Sequence, residues 1–165
     1  MNPKGSMAFF GPQPHCGPPR LPPCLPPNHR LLGEQLQGLV RLARAAQQPL
    51  ALLLVALGAT PRPAGRRTAL SQGRMVSAMQ HVLGEFDMLV RLDDFDYAAL
   101  LAGACATEAR LIAHNLQYVL KPYGAAAIGL AVCPDDGTEP DALIHCACCR
   151  RAPAGAPEVT GQRHL

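Results

Sequence analysis

Apolar residues follow three different rhythms along this chain, and each rhythm predicts a different element. From Arg30 onward Leu32, Leu36, Leu39, Val40 and Ala43 recur at three- and four-residue spacing, which places them on one face of a helix. Pro49 stops that helix, because it brings no backbone N–H and its ring clashes with the preceding turn. Leu50 to Leu57 is a continuous apolar run of strand length, as expected of a strand buried on both faces, although periodicity alone leaves a helical segment open. Residues 58–65, with Pro61 and Pro63, read as a loop. A second helix fits residues 68–83 and would bury Val76, Met79 and Leu83.

Two short apolar runs at 87–92 and 96–101, joined by acidic residues, predict a hairpin. A third helix over 106–120 would face Ala109, Ile112, Ala113, Leu116 and Val119 inward. Residues 125–133 predict another strand, closed by the turn Pro134-Asp135-Asp136-Gly137, and 140–151 a short final helix. The order helix, strand, helix, hairpin, helix, strand, helix is α+β: a central β-sheet with helices packed on its faces.

Outside this patterned stretch the rhythm disappears. Residues 1–27 hold nine of the seventeen prolines, which predicts an extended, solvated tail with polyproline II character, and 153–165 is a second Pro- and Gly-containing tail. One domain over 28–152 remains. With 48% hydrophobic residues it has enough for a core, and with 4% aromatic residues and no Trp that core must be built from Leu, Val and Ala.

Charge narrows the function classes. The net charge of +3 is scattered, and the densest basic group, Arg62, Arg66, Arg67 and Arg74, is interrupted by Pro63 and Gly65, which argues against a nucleic acid partner. No apolar run approaches the roughly 18–20 residues of a membrane span, and the first residues lack a basic start followed by an apolar core. The expectation is a cytoplasmic chain with no membrane insertion. Its seven cysteines should then be reduced thiols, and their odd number also argues against a complete disulfide framework.

The acidic hairpin carries the most specific signal. Arg91-Leu92 leads into Asp93-Asp94-Phe95-Asp96-Tyr97 and then the apolar Ala98 to Leu101. This resembles the signature hairpin of the GGDEF family, the diguanylate cyclases, in which Arg-Tyr or Arg-Leu leads into Gly-Gly-Asp/Glu-Glu-Phe and an apolar strand. Pro27-Asn28-His29-Arg30-Leu31 is similar to the family's Leu-Pro-Asn-Arg-Arg opening. Ala127-Ile128-Gly129-Leu130-Ala131-Val132-Cys133-Pro134-Asp135-Asp136-Gly137 is similar to its Ser-Ile-Gly-Val-Ala strand and Pro-Asp-Asp-Gly turn. The spacing from Leu50 to Leu83 also matches without gaps, so the resemblance covers about residues 27–159.

The resemblance implies a nucleotidyl cyclase-like fold and homodimeric action on two GTP molecules, with two Mg²⁺ ions on carboxylates, a lysine on the phosphates and glycines where backbone meets nucleotide. Most of those requirements fail at the matching positions. The first metal aspartate falls on Ala56, the phosphate lysine on Pro61, the guanine-reading asparagine on Ala64 and the guanine-reading aspartate on Gly73. Asp93 and Asp94 replace the signature glycines, Phe95 replaces the metal carboxylate, and Asp96 alone keeps a carboxylate at the fourth position. The late Ala-Leu-Tyr-x-Ala-Lys helix appears, shortened, as Ala147-Cys148-Cys149-Arg150-Arg151 without its lysine. The inhibitory-site motif Arg-x-x-Asp becomes Gly84-Glu85-Phe86-Asp87, of which only Asp87 remains.

The implied function is therefore a catalytically inactive GGDEF-like domain, a pseudoenzyme with no cofactor, acting as a regulatory or protein-interaction module in bacterial cyclic di-GMP signalling. Its partner would be an active cyclase, a phosphodiesterase, or an exopolysaccharide-synthesis or motility component, by analogy of fold. The alternative is a nucleotide receptor that binds cyclic di-GMP or GTP at a remodelled site, and an active diguanylate cyclase ranks third. Three other groupings have a plainer reading beside the chemical one. His145-Cys146-Ala147-Cys148-Cys149 could supply part of a zinc site with His15, Cys16 and Cys24, but Cys146 and Cys149 on the apolar helix face with Cys148 partly exposed is the simpler expectation. Asp93, Asp94 and Asp96 suit a hard cation but fit a solvated turn better. Cys105 and Cys133, set among small and apolar residues, read as core thiols.

Overall fold

The structure is a computed structural model that describes Pro26 and residues 28–57 and 69–151; the rest of the proline-rich tail, the loop expected at 58–65 and the tail at 153–165 lie outside the described residues. Among the described residues four helices and four strands follow one another: α1 His29–Ala46, β1 Leu50–Leu57, α2 Ala69–Val82, β2 Met88–Arg91, β3 Asp96–Ala102, α3 Ala106–Leu120, β4 Ala126–Cys133 and α4 Pro140–Arg150. A 3₁₀ turn, Lys121–Tyr123, links α3 to β4. The strands form one sheet in the order β2-β3-β1-β4 with every neighbouring pair antiparallel.

The unbroken apolar run of β1 is explained by its interior place. Leu50, Leu52 and Leu54 point to one face, where they meet Leu32, Leu36 and Val40 of α1 and Leu143, Ile144 and Ala147 of α4. Ala51, Leu53, Val55 and Leu57 point to the other, against Met75 and Met79 of α2 and Ala109, Leu116 and Leu120 of α3. The result is three layers, helix pair, sheet, helix pair, in which each fully buried Leu contributes on the order of 1.5–3 kcal/mol.

α4 lies directly on β4, and Gly129 makes that approach feasible. A Cβ built at Gly129 would stand 1.8 Å from the Ala147 carbonyl oxygen, far inside contact distance. The glycine of the Ile-Gly-Leu-Ala segment is thus a packing requirement between strand and helix.

Three expectations about burial need correction. α2 buries Met75 with Met79, while Val76 and Leu83 are only half-buried, because the helix is turned so that the two long, unbranched Met side chains reach the sheet. In α4 the cysteines are placed the other way round: Cys148 is buried, Cys149 exposed and Cys146 half-buried. The phase is set by Leu143, Ile144 and Ala147, and Cys148 follows Leu143 and Ile144 on their face. Cys105 is exposed as the N-cap of α3: its thiol takes the Glu108 backbone N–H, and its own N–H donates to Glu108 Oε2 at 2.9 Å. Cys133 is a core thiol as expected, with burial pushing its pKa up.

Candidate functional site at the acidic hairpin

The tip between β2 and β3 is held by its own backbone. Leu92 N–H and Asp93 N–H both donate to the Asp96 carbonyl, at 2.8 and 3.0 Å. Asp93 Oδ1 accepts the Asp94 N–H at 2.7 Å, and Asp94 forms an ion pair with Arg91. Both members of that pair are more than half exposed, so it adds little to stability. Tyr97, the last signature position, is buried, whereas Phe95 is 42% exposed and stands outside the core.

Two other parts of the resemblance meet at this tip. The register of β1 and β3 sets Ala56 directly opposite Asp96, and Leu57 N–H donates to the Phe95 carbonyl at 2.8 Å. Asn28, in the left-handed conformation just before α1, donates from Nδ2 to the Leu92 carbonyl at 2.5 Å. Residues 64 positions apart in the chain are thereby joined.

Asp96 is the one tip carboxylate that turns inward. Its Oδ1 accepts from Arg151 at 3.1 Å, and the two side chains are 22% and 16% exposed. Burial pushes the Asp96 carboxyl above its ordinary value; Arg151 opposes that rise without cancelling it, and the neighbouring charge of Asp93 adds to it.

Among the described residues, none completes a Mg²⁺ site with Asp96. Opposite Asp96 stands the methyl of Ala56, before it the ring of Phe95, and the carboxylate itself already faces a guanidinium. No group of three His, Cys, Asp or Glu side chains among the described residues is arranged to hold a metal. Gly73 is exposed on α2, and Pro61 and Ala64 lie outside the described residues, as do His15, Cys16 and Cys24. In α4 His145 Nε2 lies 3.7 Å from Cys149 Sγ.

Asp87, the remnant of the inhibitory motif, closes the turn between α2 and β2: its Oδ2 accepts Gly84 N–H at 2.7 Å, and its own N–H donates to the Gly84 carbonyl at 3.1 Å. Glu85 and Phe86 beside it are exposed. Its observed work is local architecture.

Sequence reasoning missed two charged contacts. In the sequence Arg151 marks only the place of an absent lysine, and nothing in a linear pattern points to a partner 55 residues away. Asp136, in the turn after β4, accepts Val132 N–H at 2.8 Å and Arg150 at 2.7 Å, while Arg150 also donates to the Leu130 carbonyl at 3.2 Å. Burial alone would raise the Asp136 carboxyl, but the hydrogen bonds from Arg150 and Val132 and the charges of Arg150 and Arg110 hold it below the usual range. The available signal was the Pro-Asp-Asp-Gly turn, read only as a turn.

No protein-family model matches the chain, and no curated protein matches it. Solved structures do. The GGDEF domain of TpbB, also called YfiN, from Pseudomonas aeruginosa is 24% identical with a TM-score of 0.60 over 78% of this chain and 87% of that one. A sensory box/GGDEF family protein from Caulobacter crescentus is 17% identical with a TM-score of 0.62 over 74% and 88%. The FimX GGDEF domain from Pseudomonas aeruginosa is 20% identical with a TM-score of 0.62 over 74% and 83%. The overall superposition on these neighbours shows that, in fold, this chain is a GGDEF-like domain.

Proposed function

We propose that the chain is a catalytically inactive GGDEF-like domain that serves as a regulatory or protein-interaction module in cyclic di-GMP signalling. The observation that carries this reading is the pairing of Ala56 with Asp96 beside an exposed Phe95, on an intact three-layer body. Where a cyclase would gather carboxylates around metal, the described residues turn one tip carboxylate, Asp96, inward, and it is bound to Arg151. Phosphoryl transfer depends chiefly on neutralising charge at the phosphates, and one such carboxylate leaves that need unmet. The intact body supports a role in binding a protein partner, since helix faces and strands are in place without the chemistry.

Incubating purified protein with GTP and either Mg²⁺ or Mn²⁺ is expected to give no cyclic di-GMP above a control without protein. Product that is lost on Asp96→Ala would overturn the reading.

A further inference from the structure

We propose that the Arg151–Asp96 pair is a conformational latch: the chain's own guanidinium occupies the hairpin carboxylate and couples the C-terminal end of α4 to the signature hairpin. The pair spans 55 residues and is shielded, in contrast to the open Arg91–Asp94 pair on the same hairpin. It sits at a junction. The Asp96 carbonyl takes the Leu92 and Asp93 N–H groups that shape the tip, and the adjoining Phe95 carbonyl takes Leu57 N–H from β1. At the other end, Arg151 N–H closes α4 onto the Cys148 carbonyl at 3.3 Å, and Arg151 N stands 3.0 Å from where a Cβ on Gly129 would be. The arginine therefore leaves α4 with its backbone set closely against β4 while its side chain reaches β3.

Two consequences follow from linkage. A cationic group that uses Asp96 must displace Arg151, and an anionic group that draws Arg151 away loosens the hairpin; the coupling is equal in both directions. The Asp93 charge faces Asp96 as well, so losing the guanidinium leaves two carboxylates near each other with no cation between them. The latch does not depend on whether the domain is catalytically silent, because it is read from hairpin motion and not from nucleotide chemistry.

Residue-resolved amide hydrogen exchange on the full chain tests it. Arg151→Gln is expected to speed exchange at Leu92, Asp93 and Leu57 by about 3- to 10-fold, on the scale of local opening, while amides in the middle of β1 stay unchanged. Asp96→Asn is expected to speed the same amides and, reciprocally, that of Arg151, and the double variant to add nothing beyond either single change. Arg151→Lys, which keeps a charge but loses the planar fork, should give a smaller rise at the same positions and decides the matter if Arg151→Gln does not fold. Unchanged tip amides, a uniform rise through β1, or additive single effects would each overturn the latch.

Discussion

The middle of β1 and Ala56 near its end belong to one strand and obey different rules. At Leu52 to Leu54 both faces are covered by helices, and every side chain is fixed by packing. At Ala56, two residues on, the strand meets the hairpin tip, and the neighbours are a half-exposed Phe95 and a carboxylate tied to an arginine. Fold and chemistry are thus separable along a single element. The body can keep its form while the end varies in residue type, because the backbone hydrogen bonds at the tip do not depend on which side chains stand there.

That contrast implies a steep gradient of mutational cost from body to tip. Its upper end is Gly129→Ala. The added methyl would overlap the Ala147 carbonyl, so α4 must move off β4 and give up contacts of Leu143, Ile144 and Ala147 with the sheet. A loss of about 3 kcal/mol, the upper range for overpacking, is expected in urea unfolding, with part of the population unfolded if the starting stability is small. A loss below about 1 kcal/mol would show that α4 is loosely seated and that the body is softer than its packing indicates.

Lower on the gradient is the turn after β4. Asp136 has its folded-state pKa held below the ordinary value of 3.8, so its contribution is present above that value and is lost as pH falls through the folded one. Asp136→Asn keeps the shape but weakens two hydrogen bonds to the charged form, at a cost of about 2 kcal/mol near neutral pH. The difference between variant and parent should shrink as the solution is acidified below about pH 4, the ordinary carboxylate range. A difference that stays constant down to pH 2 would mean that the turn, and not the charge, supplies the stability.

The same division governs how much could be read from the sequence. The bounds of β1 were legible because a run buried on two faces leaves no polar position, and those of α3 because its apolar stripe begins and ends with the helix. The hairpin was legible because acidic residues interrupt two apolar runs. The facing of α4 was not, since Cys146, Cys148 and Cys149 have the same hydrophobicity and only packing of Leu143 and Ile144 sets the phase. Cys105 was misjudged because cysteine is an unusual N-cap and its small neighbours suggested a core. At the candidate site, the absence of a carboxylate at Ala56 could be inferred from the resemblance, but the engagement of Asp96 by Arg151 depends on where α4 ends in space.

The smallest effect is expected at the tip itself. Phe95→Glu restores a carboxylate at the signature's third position, and the side chain it removes is 42% exposed and outside both core clusters. Turn geometry should survive, because the Phe95 carbonyl still takes Leu57 N–H, and neither bond to the Asp96 carbonyl involves the Phe95 side chain. The new charge stands near Asp93 and Asp94, both exposed, where solvent screens the repulsion. A change in stability within about 0.5 kcal/mol is therefore expected, the range of ordinary surface substitutions. Synthesis of cyclic di-GMP from GTP should remain absent, because Ala56 still gives no second carboxylate opposite Asp96 and Arg151 still holds the first. Measuring both on one preparation separates the alternatives. Product formation by this single variant would mean that a carboxylate other than one at position 56 completes the metal site, and a loss of more than 2 kcal/mol would mean that the tip has been taken into the packed body after all.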